Sequence, residues 1–243
     1  MPNLETKMKK PFLQAEWRKL LMINYAVDTN ILLRYLPPHT EIDLWNNTCF
    51  VSLVGFMFLN TKLLGYKIPF HVNFEEVNLR FYVRYRDITE WKRGVVFIKE
   101  IVPKPALSFV ANSIYKENYE TLPMKHSWIL ENGTLKVAYS WKKFGWNKIE
   151  AIANSKSMEI VDGSEAEFIT EHYWGYTKLS DTRTSEYGVE HPKWDIYEVQ
   201  EFNLDINFGK VYGDNFSFLQ DSIPVSVFLA EGSEIKVNSK RNL

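Results

Sequence analysis

The sequence predicts a mainly β, α+β domain with one long helix and one or two short helices. Three observations predict it: strand-length segments recur along the chain, Asn132-Gly133 marks a hairpin, and a single segment has helical periodicity over three turns. No repeat, low-complexity stretch or Gly/Ser-rich linker divides the sequence. We therefore expect a single domain over residues 1–243, with an ordered core at about 12–235 and a frayed polar C-terminus.

Composition argues against several classes of protein. Lysine and arginine (29) balance aspartate and glutamate (30), so the chain lacks the basic excess of a nucleic-acid-binding protein. A single cysteine, Cys49, excludes an intrachain disulfide and a CxxC zinc site. The first twenty residues contain no apolar run long enough for a signal-peptide core, and the most apolar stretch, Cys49 to Leu59, is too short to span a bilayer. We therefore expect a cytoplasmic protein without a nucleic-acid or membrane partner.

The segment 74–85 alternates between apolar and polar residues, as a half-buried strand does. Alternation places Glu76, Asn78 and Arg80 together on the polar face. Two interpretations stay open: this face contacts solvent, or the sheet curls and the three side chains line a cavity.

The next strand segment, 94–102, is apolar on both faces except at Lys99 and Glu100. A buried charge without a partner is costly, so each of these residues pairs with a neighbour, reaches solvent or serves a site.

A helix is predicted to begin at Pro105, because Leu107, Val110, Ala111 and Ile114 repeat at helical spacing. Lys104 precedes this helix. The positive end of the helix dipole favours a neutral amine there, and a neutral amine is what Schiff-base chemistry needs. The alternative is an exposed lysine in a turn.

Aromatic residues cluster in the strand candidate 166–177 and around Pro192. Alternation places His172, Trp174 and Tyr176 on one face of that strand, and His191 lies beside the proline. Rings with a polar tip either fill the edge of a core or line a ligand pocket.

Common catalytic motifs are absent from the sequence: it contains no GxGxxG, GxxxxGK[ST], HExxH or GxSxG. No two of the five histidines have the i, i+4 spacing of a helical metal site. We therefore expect no cofactor and no metal ion.

Several segments together resemble a known family. They are FLQAEWRKLLMINYAVD, YLPPHTEIDLWNNTCFVSLVGFMF, NFEEVNLRFYV, RGVVFIKEIVPKPA, EHYWGY and YGVEHPKW. The likeness extends over roughly residues 12–228 and is to the YqjF-like family of uncharacterised bacterial proteins, which is itself similar to acetoacetate decarboxylases. The resemblance implies an acetoacetate decarboxylase-like fold, a curved and largely antiparallel sheet that encloses a funnel.

The resemblance also implies roles for two residues. In the decarboxylases a P-K-K motif supplies the lysine that forms the Schiff base and a second lysine that activates it. Here KEIVPKPA places Lys104 at the first position and Pro105 at the second, so the activating cation is missing. Arg18 lies where the carboxylate-binding arginine of the decarboxylases falls.

We interpret the chain as a protein that binds a small organic acid or carbonyl compound in a β funnel. If it is an enzyme, Lys104 forms the imine, Arg18 holds a carboxylate, and Glu76 or Glu100 moves protons. The ligand-binding wall is then formed by Asn78, Arg80, His172, Trp174, Tyr176 and His191. The alternatives are a non-enzymatic binding or sensing module and a homo-oligomeric interaction protein.

Overall fold

The computed structural model describes residues 11–243. The strands, numbered β1–β14 in chain order, are Leu13–Ala26, Thr40–Ile42, Phe50–Leu63, Phe74–Arg86, Trp91–Val102, Tyr119–Thr121, Met124–Glu131, Thr134–Lys142, Trp146–Glu159, Trp174–Lys178, Thr184–Glu190, Asp195–Asp205, Ser226–Val237 and Arg241–Asn242.

The helices are short. The α-helices α1–α4 are Thr29–Leu32, Pro105–Val110, Glu165–Thr170 and Phe208–Tyr212. A π-helical turn, Ala111–Tyr115, continues α2, and a 3-10 helix, Asp214–Gln220, follows α4. Together α2 and the π turn form the three-turn helix that the sequence predicts. None of the helices in the described part of the chain is long and apolar enough to cross a membrane.

One continuous sheet runs in the order β14-β11-β10-β5-β4-β3-β1-β13-β12-β9-β8-β7, with β2 beside β4 and β6 beside β5. Neighbouring strands are antiparallel except β10–β5 and β5–β6, which are parallel. In addition, β13 pairs with β11 at Val189↔Val237 and Glu190↔Lys236. This pairing closes β11, β10, β5, β4, β3, β1 and β13 into a ring of strands. The mainly β, acetoacetate decarboxylase-like curved sheet is confirmed, and the ring is its funnel.

Two apolar cores lie on the two faces of the ring. Val77, Leu79 and Phe81 of β4 pack outward into a core shared with Tyr139 of β8 and Ile149 of β9. The inward side chains of the ring strands belong to a second core. The alternation predicted for β4 is therefore confirmed, and its polar face is turned into the ring.

Three local predictions have different outcomes. The Asn132-Gly133 hairpin is confirmed between β7 and β8, and both residues have positive φ. The strand predicted over 166–177 is wrong in its first half, where α3 forms because the Ser164 side chain accepts a hydrogen bond from the Glu167 amide. The C-terminus, expected to fray, instead forms β14 against β11.

Candidate functional site

The ring encloses a cavity of about 260 Å³. Each of its strands contributes to the wall, and α2 adds the side chains of Leu107 and Val110. Most of the wall is apolar and includes Trp17 and a stacked pair, Phe58 and Phe74, with ring centroids 4.7 Å apart. A concave apolar interior of this kind is typical of a small-molecule site.

A polar strip crosses this apolar wall. Glu76, Asn78 and Arg80 of β4 line the cavity, and β5 adds Glu100, which lies directly opposite Asn78. A β-bulge in β5 then keeps Phe97, three residues away, on the same side as Glu100. Of the two interpretations of this face, the structure selects the cavity.

An acidic cluster surrounds Glu76. Its Oε1 accepts a hydrogen bond from Asn78 Nδ2 at 2.9 Å, and its Oε2 accepts one from the Tyr119 hydroxyl at 3.3 Å. Burial outweighs these bonds and raises the pKa of Glu76 to about 7. Burial, with the nearby charges of Glu117 and Glu76, raises the pKa of Glu100 well above its usual range, and burial also raises the pKa of Glu117 to about 7. The cluster therefore holds protons at neutral pH and can donate them to a ligand.

Sequence reasoning missed Glu117 and Tyr119. They follow the π turn, and Tyr119 begins the short strand β6, where it lies opposite Glu100 in β5. The Asn118 amide between them donates to the backbone carbonyl of Ile98 in the β5 bulge at 2.6 Å. A three-residue strand has no readable alternation, so the only available signal was the polar run that ends the helix.

Arg80 is a buried guanidinium without a carboxylate partner. The residue is 8% exposed, and no ion pair joins it to another residue in the range 11–243. Its neighbours are the Met22 sulfur, 3.9 Å from Nη2, and the Tyr82 ring, whose centroid lies 5.7 Å from Cζ. Arg84, on the same strand, instead pairs with Glu41 at 2.6 Å. Arg80 therefore presents to the cavity a positive charge that no described carboxylate contacts directly, although this charge acts on Glu76 and opposes the rise of its pKa.

His172 also lines the cavity, and its hydrogen bonding indicates its tautomer. Burial raises the pKa of Asp43, but hydrogen bonds from His172 and Arg93 outweigh burial and hold this pKa below its usual range. Asp43 is therefore an ionised acceptor. His172 Nε2 lies 3.3 Å from Asp43 Oδ2, and Arg93 Nε donates to the same oxygen at 2.7 Å. Burial lowers the pKa of His172 to about 4 despite Asp43. Neutral His172 therefore carries its proton on Nε2 and a free lone pair on Nδ1.

Buried polar atoms without partners are concentrated in this wall. Among the described residues they include Trp17 Nε1, Thr61 Oγ1, Asn78 Oδ1, Arg80 Nε, Glu100 Oε2 and His172 Nδ1. Folded proteins leave few buried polar groups unpaired, so a concentration in one cavity indicates a polar ligand. Within residues 11–243, no group of three His, Cys, Asp or Glu side chains is arranged to hold a metal ion.

The two residues assigned by the family resemblance do not line the cavity. Lys104 is the N-cap of α2 and lies on the outward side of β4, near Glu75. Burial raises the pKa of Glu75, but a hydrogen bond from His126 and the charge of Lys104 outweigh burial and lower this pKa. Arg18 pairs with Glu16 at 2.7 Å outside the ring. No lysine in the range 11–243 lines the cavity. The placement does not support the imine role of Lys104, which stays a prediction.

Of the predicted aromatic wall, the structure places His172 and Trp174 at the cavity but not Tyr176 or His191. Tyr176 is buried in the outer core, against which Trp174 also packs, and its hydroxyl donates to Glu186 Oε2 at 3.1 Å. His191 stacks on Trp194, with ring centroids 4.2 Å apart, and lies in a separate surface groove.

Comparison with known proteins identifies the family. A family model, DUF2071, described as an uncharacterized conserved protein, matches residues 14–234. The chain belongs to this family. The uncharacterized protein YqjF of Bacillus subtilis (strain 168) is 31% identical over 86 residues, which span 35% of this chain and 34% of YqjF. The match therefore extends over about a third of that curated relative.

Solved structures resemble this DUF2071 protein in fold. Acetoacetate decarboxylase from Legionella pneumophila gives a TM-score of 0.64 over 100% of this chain and 91% of that chain, at 14% identity. The enduracididine biosynthesis enzyme MppR, in a complex with pyruvate, gives a TM-score of 0.65 over 98% of this chain and 93% of that chain, at 11% identity. At these identities the likeness shows the fold alone, and it agrees with the fold that the sequence predicts.

Proposed function

We propose that this DUF2071 protein binds a small organic acid in the cavity, with the carboxylate of the ligand at Arg80. The observation that carries the proposal is the buried guanidinium, which has no carboxylate within ion-pair distance among residues 11–243. A carboxylate is the partner that best satisfies a guanidinium, because it accepts two parallel hydrogen bonds. A bound acid would offset the cost of burying the charge of Arg80 alone.

The acidic cluster supports the same ligand class. Protonated Glu76 and Glu100 donate hydrogen bonds, so they suit a carbonyl, hydroxyl or carboxyl oxygen elsewhere on the ligand. MppR in its complex with pyruvate shows that another protein of this fold holds a 2-oxo acid.

Binding is tested by titration calorimetry with small carboxylates and their neutral amides. We expect the carboxylates to bind. The amides should bind more weakly by roughly tenfold or more, because they lack the negative charge that pairs with Arg80. Arg80→Met should weaken carboxylate binding by roughly 30-fold or more, since truncating one partner of a buried charge pair costs about 2–5 kcal/mol.

The matched control is Arg84→Met, which changes an arginine on the same strand that pairs with Glu41 outside the cavity. It should leave carboxylate affinity unchanged. If Arg80→Met folds and binds carboxylates as well as the wild type, Arg80 is not the carboxylate site.

Catalysis is the finer proposal, and it takes two forms that depend on different residues. Glu76 and Glu100 line the cavity, which supports a role as general acids toward a bound acid. Schiff-base chemistry at Lys104, which the family resemblance predicts, needs an amine that reaches the ligand.

Borohydride trapping tests the Schiff-base form. Wild type and Lys104→Ala are treated with borohydride and pyruvate, and their intact masses are compared. Because Lys104 lies outside the cavity wall, we expect no adduct that disappears in Lys104→Ala. An adduct specific to Lys104 would instead establish imine chemistry. It would also exclude the alternative that the protein only binds its ligand.

A further inference from the structure

We infer that the preferred ligand is a 2-hydroxy carboxylic acid with an apolar body, whose hydroxyl donates a hydrogen bond to His172 Nδ1. The inference rests on the proposed function, because it takes the carboxylate at Arg80 as given. It adds the chemical class of the ligand.

The first step is the lone pair of His172. Its side chain is 1% exposed, and Nδ1 has no hydrogen-bond partner among the described residues. Asp43 accepts hydrogen bonds from His172 Nε2 and from Arg93 Nε. The proton of His172 therefore stays on Nε2, and Nδ1 can only accept a hydrogen bond. Burial and the positive charges of Arg93 and Arg80 oppose a second proton on the ring. Because His172 lines the cavity, a bound ligand that brings a hydrogen-bond donor to Nδ1 satisfies this atom.

The second step is that this acceptor and the carboxylate site contact the same aromatic ring. The Arg80 Cζ lies 5.7 Å from the centroid of the Tyr82 ring, and the His172 ring centroid lies 4.7 Å from the same centroid. Both groups therefore pack against one ring, and the charge of Arg80 also acts on the His172 ring. The ligand must then carry its carboxylate and its donor on the same end. Substituents on neighbouring carbons, as in a 2-hydroxy acid, meet this requirement.

The same groups disfavour two related classes. A 2-oxo acid offers only an acceptor where His172 Nδ1 needs a donor, so that atom would stay unpaired. A 2-amino acid brings a donor, but its ammonium adds a positive charge beside Arg80 and Arg93.

The third step is the body of the ligand. Apart from the polar strip, the wall is largely aliphatic and aromatic. Phe56, Phe58 and Phe74 come from β3 and β4, and α2 adds Leu107 and Val110. A dry cavity of roughly 150 Å³ holds one benzene ring. The cavity here, of about 260 Å³, has room for a ring and the two polar groups.

Three acids with one shared body test the inference on the wild-type protein. Calorimetry compares phenylacetate, each enantiomer of mandelate, and the O-methyl ether of mandelate. We expect one enantiomer of mandelate to bind roughly tenfold more tightly than phenylacetate, because its hydroxyl pairs a buried acceptor. The methyl ether, which has no donor, should lose that advantage.

A variant then assigns the preference to His172. His172→Phe keeps a ring between Tyr82 and Phe168 but has no acceptor, so it should bind mandelate and phenylacetate alike. The control His126→Phe changes a histidine on β7, away from the cavity, and should keep the preference of the wild type.

The outcomes separate the inference from the function on which it rests. Equal affinities of the wild type for mandelate and phenylacetate, or a tight methyl ether, overturn the inference and leave the organic-acid site in place. A preference that persists in His172→Phe also overturns it. If none of these acids binds, the proposed function fails as well. If His172→Phe does not fold, the comparison with the methyl ether decides.

Discussion

Glu76 keeps its proton to a higher pH in the folded protein than in the unfolded chain. Its pKa rises from 4.5 to about 7 because burial disfavours the charged carboxylate. A carboxyl group with a raised pKa makes its full contribution to stability below the unfolded value, and that contribution is lost as the pH rises through the folded value. Between about pH 4.5 and 7, Glu76 therefore makes folding progressively less favourable.

Glu76→Gln should remove this dependence, because glutamine is neutral at every pH and its amide oxygen can still accept from Asn78 Nδ2. We expect the variant and the wild type to melt at similar temperatures at pH 5. At pH 8 the variant should melt higher by roughly a few degrees. Thermal unfolding at the two pH values measures the difference.

Glu201→Gln, on the exposed face of β12, is the matched control and should follow the wild type at both pH values. The groups that face Glu76 are Glu100, Glu117, Tyr119 and Arg80. Glu100 and Glu117 stay in the variant, and each loses the repulsion from a charged Glu76, so they reinforce the gain at pH 8. An equal offset at pH 5 and pH 8 would contradict the assignment of the raised pKa to Glu76.

At the scale of elements, regular alternation was the most reliable guide to the site. In β4 it predicted that Glu76, Asn78 and Arg80 share a face, because successive side chains of a strand point to opposite sides. It could not predict that this face is turned inward. Closure of the ring depends on the pairing of β11 with β13, which no local pattern indicates.

The irregular elements account for the predicted site residues that do not line the cavity. The P-K pattern at Lys104 matched a motif, but the structure makes Lys104 the N-cap of α2, outside the cavity. The prediction of a strand over 166–177 overlooked the Ser164 and Glu167 capping signal, so it extended the alternation of β10 back to His172. His172 lines the cavity, whereas Tyr176 packs in the outer core. His172 still reaches the cavity, because the segment between α3 and β10 positions it.

At the scale of the whole molecule, the last strands hold the cavity closed. Val237 pairs with Val189 of β11, and its carbonyl accepts from the Phe12 amide at 2.8 Å. Beyond it, Arg241 Nε donates to the fully buried Glu186 at 2.6 Å. The C-terminal segment therefore has two separable tasks: β13 closes the ring, and Arg241 of β14, together with Lys92 of β5, pairs with a buried carboxylate on β11.

Two truncations should separate these tasks. Removing residues 239–243 deletes β14 but keeps the contacts of Val237 and Asn238, so we expect a lower melting temperature with little change in carboxylate affinity.

Removing residues 236–243 also deletes the pairing of β13 with β11, which opens the wall between Tyr187 and the start of β1. Carboxylate affinity should then fall by roughly tenfold or more, equivalent to about 1.4 kcal/mol or more. Calorimetry and thermal unfolding of the two chains, each compared with the full chain, measure both effects. If the shorter chain folds and binds as tightly as the longer one, closure of the ring by β13 and β11 is not what forms the binding cavity.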